Sequence, residues 1–161
     1  MKITLVLFFT VFTISLFAQS YPDPEFVEKP MYYDVNTKQL SALERQIHPS
    51  QASSGFNQTF AYKGTTSSLH ISKANGVQFL IRLFNSLEPD LILFLYPLSV
   101  TNSTRQIKIH ISLKDSGTAQ GAIPFQYRKV GESLYMLTIE NIEPGEYVWF
   151  LKSASYLFTV E

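Results

Sequence analysis

The hydrophobic positions of this chain recur mostly at every second residue, in short runs broken by turn formers. RQIKIHISL shows it best: Ile107, Ile109 and Ile111 point one way, and Gln106, Lys108 and His110 point the other. VQFLIRL repeats the pattern with Val77, Phe79, Ile81 and Leu83, QTFAY with Phe60 and Tyr62, and SSLHIS with Leu69 and Ile71. AIPFQYRK places Ile123, Phe125 and Tyr127 together, and Pro124 marks it as an edge, because proline has no N–H for a ladder. DLILFLYPL is apolar at both parities and predicts a strand buried on both faces. SLYMLTIE, EYVWFLK and SYLFTVE complete the series. MYYD and QLSALERQ flank VNTK as a hairpin, although Leu40, Leu43 and Ile47 also stand at helical spacing. KANG and VTNST predict turns; HPSQASSG and KDSGTAQG predict loops. The result is about ten strands with hairpin-length connections and no long amphipathic helix. That series predicts an all-β fold, an antiparallel β-sandwich or barrel, over residues 31–161.

Ahead of it the pattern changes twice. MKITLVLFFTVFTISLFAQS has a positive Lys2, an apolar run from Ile3 to Phe17, and small residues at Ala18 and Ser20. This is the layout of a secretory signal peptide, residues 1–18, and its apolar run is shorter than the ~20 residues that span a bilayer. YPDPEFVEKP then packs prolines and acids together, so residues 19–30 predict an extended, poorly packed linker.

Charge and composition narrow the function. The chain carries 13 basic and 13 acidic residues; without Lys2 the remaining 12 and 13 leave a balance of −1. A near-neutral domain lacks the basic footprint of a nucleic-acid binder. There is no cysteine, which excludes thiol catalysis, Cys-based zinc sites and disulfides, so packing alone must hold the fold.

Between two strand-like runs stands NIEPGEYVWFL. Its Ile142, Pro144, Gly145 and Tyr147 resemble the tyrosine corner of immunoglobulin-like and fibronectin-type sandwiches. The resemblance implies a Tyr147 hydroxyl turned back to the backbone a few residues upstream, where the chain crosses between sheets. Trp149, two residues on, falls on the same face and reads as core. Two departures separate the chain from true immunoglobulin domains: the paired cysteines are missing, and Trp149 follows the tyrosine within one strand. PMYYD…LSALERQ, EPDLILFLYPL…RQIKI and the terminal PGEY also resemble small exported bacterial β-sandwich proteins, a likeness that assigns no functional residue.

Candidate chemistry is thin. His48, His70 and His110 show no metal-motif spacing, although His70 and His110 sit mid-strand and meet if their strands are neighbours. No serine lies in a nucleophile elbow, and the glycines are scattered over separate turns. Glu143 and Glu146 flank Pro144-Gly145 and read as solvated turn acids. Tyr32 and Tyr33 are adjacent, so they point to opposite faces and at least one is expected to offer an exposed ring. Arg105, Lys108, His110 and Lys114 interleave along one strand and could face an acidic partner or an anionic glycan. No catalytic residue, metal ligand or cofactor is assigned. The pattern implies an exported binding or assembly module, periplasmic or extracellular, with a protein or glycan partner. The competing class is a hydrolase or lyase of envelope carbohydrate.

Overall fold

The computed structural model describes residues 20–47, 49–84, 87–110, 121–151 and 154–161. The leader, His48, Lys114 and most of the KDSGTAQG loop lie outside them, as does the side chain of His110. The described residues form an all-β structure with two short 3-10 turns, Lys73–Asn75 and Pro89–Leu91. No helix among them is long and apolar enough to cross a membrane.

The strands are β1 (Met31–Tyr33), β2 (Leu40–Ala42), β3 (Glu44–Gln46), β4 (Ser50–Ser54), β5 (Asn57–Lys63), β6 (His70–Ile71), β7 (Val77–Arg82), β8 (Phe94–Thr101), β9 (Thr104–His110), β10 (Gln126–Lys129), β11 (Leu134–Ile139), β12 (Gly145–Leu151) and β13 (Ala154–Val160). A five-stranded sheet runs β10-β11-β7-β1-β2. An eight-stranded sheet runs β3-β13-β12-β8-β9-β5-β4, with β6 beside β13. All pairs of named strands are antiparallel except β6–β13. The QLSALERQ stretch is extended rather than helical, because it pairs with β1 and β13.

The larger sheet changes partners along β8. Phe94 to Leu98 pair with β12, and Ser99 to Thr101 pair with β9. The sheet curls there into a half-barrel. The curl encloses Phe60, Tyr62, Tyr96, Leu98, Ile107, Val148 and Leu157. The opposite face of β12 and β13 joins the five-stranded sheet in a second cluster. In that cluster the ring centroid of Phe79 lies 5.5 Å from Trp149 and 4.9 Å from Phe158. Strands β12 and β13 are therefore apolar at both parities because they serve two interiors.

Several expectations are corrected. HPSQASSG is not all loop: β4 forms from it, although all five of its residues are exposed, because backbone pairing with β5 needs no apolar side chain. Asp90 and Leu91 belong to a 3-10 turn, so the buried strand starts only at Phe94. The 20–30 segment is docked rather than loose. Tyr21 meets Tyr33 edge-on at 5.7 Å, Asp23 pairs with Arg82, and the Glu28 N–H donates to the Arg82 carbonyl at 2.8 Å.

Candidate functional site

Strand β9 sorts the basic candidates onto opposite faces. Arg105 is two residues before Ile107, so it shares the inward parity of Ile107 and Ile109. It is fully buried, at 0% exposure, in one end of the curl. The expectation of an exposed, ligand-facing Arg105 is overturned by that parity. Its guanidinium forks onto Glu44, with Nη2 2.7 Å from Oε1 and Nη1 3.2 Å from Oε2. Nη1 also donates to the Ser67 hydroxyl at 2.5 Å and to Glu146 Oε2 at 3.3 Å, and Nη2 to the Lys63 carbonyl at 2.7 Å. Arginine suits this place, because its planar fork holds several acceptors at once and its charge is permanent.

The acids arrive by the same register logic. Glu44 stands opposite Leu157, and Glu146 is two residues before Val148, so both face the curl. Ser67 donates to Glu146 Oε2 at 2.7 Å, and the Thr159 hydroxyl donates to Oε1 at 2.5 Å. Glu146 is thus buried, not a solvated turn acid. Glu143 does reach solvent, 3.7 Å from Lys73 Nζ. Burial alone would raise the Glu44 carboxyl, but hydrogen bonds from Arg105 and Gln46 outweigh it and hold the group below its ordinary range. A carboxylate so engaged is a poor proton acceptor at neutral pH. The arrangement locks β3, β9 and β12 together and does not present a reacting group.

Lys108 has the other parity. With Gln106 it lines a cleft of about 410 Å³, completed among the described residues by Tyr96, Pro97, Ser99, Thr101, Ile107 and Gly121. Ser99 stands directly opposite Gln106 on the β8–β9 ladder. The lining offers hydroxyls, an amide and one cation, which suits hydrogen bonding to a polar or anionic ligand.

Tyr32 and Tyr33 point to opposite faces, as adjacency requires, yet both are buried, at 5% and 3% exposure. Tyr32 enters the cluster shared by the two sheets. Tyr33 lies on the outer face, which Tyr21 helps to cover. No exposed ring platform exists there. The cover comes from Tyr21, in the segment whose prolines and acids predict an unpacked linker.

At the corner, Ile142 is buried, Pro144 is exposed, and Gly145 has φ +158°. The Tyr147 hydroxyl donates to the Glu143 carbonyl at 2.6 Å. Its ring packs over Gly145 and stacks on Phe158 at 5.6 Å. Trp149 is wholly buried.

The histidines are dispersed. His70 pairs in register with Thr159 on β13, and its Nδ1 lies 2.5 Å from Glu161 Oε1. That hydrogen bond raises its pKa above the ordinary value. His110 ends β9 opposite Asn57, so the two strands are not neighbours. Among the described residues no three His, Cys, Asp or Glu gather as a metal site. No family model, curated protein or solved structure matches the chain.

Proposed function

We propose that the chain is an exported, non-catalytic binding or assembly module of the bacterial envelope, an immunoglobulin-like β-sandwich that meets a polar or anionic ligand at the β8–β9 cleft. The observation that carries this reading is the division of β9. Arg105, Glu44 and Glu146 are engaged with one another inside the curl, while Ser99, Thr101, Gln106 and Lys108 line a surface cleft. Buried charges paired with one another serve structure, and a cleft of hydrogen-bonding groups serves recognition. The sandwich reading is supported by the cluster that both sheets share and by the Tyr147 to Glu143 bond, which has the form of a tyrosine corner.

Titrating the isotope-labelled chain with soluble anionic glycan fragments tests the proposal. Amide shifts centred on Ser99, Gln106 and Lys108, lost in Lys108→Ala, are the expected result. Release of cleaved product from the same fragments would overturn it in favour of a hydrolase or lyase. An absence of shifts in the cleft would reject the ligand site.

A further inference from the structure

The sheet edges are not protected equally. Strand β3 is three residues, Glu44-Arg45-Gln46, with charge at two of them. Strand β2 is also three residues long, and β10 carries Arg128 and Lys129. Short length and charge are the usual means by which an edge avoids pairing with another chain. Strand β4 has neither. It is five residues, Ser50-Gln51-Ala52-Ser53-Ser54, uncharged, and exposed throughout. It closes the eight-stranded sheet, with β5 on one side and no strand on the other among the described residues.

We propose that two copies of this chain join through β4, antiparallel about a two-fold axis at Ala52. The hairpin register selects that axis. The two-residue turn Gly55–Phe56 closes on the Ser54–Asn57 pair, with Gly55 at φ +60°. Ser54 and Ala52 therefore turn their backbone groups toward β5, and Gln51 and Ser53 turn theirs outward. Antiparallel pairing about Ala52 sets each Gln51 against the partner's Ser53, so the outward N–H and C=O groups of both copies are matched. The facing side chains are then Ser50 with Ser54, Gln51 with Ser53, and Ala52 with itself, none charged and none bulky. Pro49, lacking an N–H, ends the pairing just before the strand.

Two apolar residues flank the same edge. Ile47 is 50% exposed and Phe56 is 57% exposed. The two-fold register brings each turn that carries Phe56 alongside the partner's β3–β4 connection, which carries Ile47. The interface is self-complementary, so it closes at two copies instead of extending into a fibre.

The absence of cysteine makes the test direct. In Ala52→Cys the two thiols fall at the axis, on a non-hydrogen-bonded pair with Cα atoms about 4.5 Å apart, within the range a disulfide spans. The full chain is expected to sediment as a concentration-dependent dimer. Ala52→Cys should oxidise to a covalent dimer at least about tenfold faster than the exposed control Val100→Cys. Ala52→Lys sets like charges opposite each other and should weaken the dimer about tenfold or more while leaving the melting curve of the monomer unchanged. A chain that stays monomeric up to high micromolar concentration overturns the proposal. So does a dimer that ignores Ala52→Lys, or an Ala52→Cys variant that crosslinks no faster than the control.

Discussion

Two of the buried clusters among the described residues are closed by different means. The cluster shared by the two sheets is built of rings and aliphatics such as Phe79, Trp149 and Phe158. The interior of the curl is also apolar along its length, but one end is stopped by Arg105, Glu44 and Glu146. An apolar closure tolerates loss of a polar group and is sensitive to lost volume. An ionic closure has the opposite sensitivity, because removing one partner leaves the other charge buried.

Arg105→Ala is the sharpest way to break this comparison. It strands Glu146, which is only 6% exposed, and should cost about 3–5 kcal/mol in urea unfolding. Arg105→Met combined with Glu146→Leu should recover most of that loss, since an apolar stop replaces the ionic one. A cost of Arg105→Ala below about 1 kcal/mol would place the cluster with exposed ion pairs and erase the distinction.

Tyr147→Phe probes the shared interior with a smaller expected effect. It removes one hydrogen bond to the Glu143 carbonyl and leaves the stacked ring in place. The melting point should fall by the equivalent of about 1 kcal/mol. An unchanged melting point would show that ring packing alone fixes the corner.

The pH dependence is the mildest discriminator, and its two limbs have opposite sign. Glu44 titrates below its ordinary range when folded. Its contribution is complete above the unfolded value of about 4.3 and is lost as pH falls through the lower folded value. Glu44→Gln should flatten that acid limb. His70 is raised by Glu161. Its contribution is complete below about pH 6.5 and is lost as pH rises through the raised folded value. The His70 midpoint, followed by NMR, should drop in Glu161→Gln.

How far the chain could be read without coordinates differs by element. Strands β9, β11 and β12 were legible because one face of each alternates or both faces are apolar. Strand β4 was not, since its residues are small, polar and exposed, and an edge held only by backbone pairing leaves no hydrophobic trace. Arg105 carried a signal that charge obscured. Its position two residues before Ile107 assigned it to the inner face, but grouping it with Lys108 by chemical type put it outside. Glu146 misled in the same way, two residues before Val148. For Tyr32 and Tyr33 the alternation was right and the inference of exposure was wrong, because Tyr21, Leu40 and Val130 cover the second face. Parity is local information, whereas cover is not.

Strand β13 also carries a consequence for the order of events in folding. Gln46 of β3 pairs with Ser155, Ile71 of β6 pairs with Val160, and β12 pairs with it along its whole length. Each of these partners precedes β13 in the chain. A chain still on the ribosome therefore holds β3 and β6 with their neighbour in the sheet still unmade, and such distant pairings form slowly. The eight-stranded sheet can close only once β13 has been made, so this seven-residue strand sets the moment at which β3, β6 and β12 can be joined in one sheet.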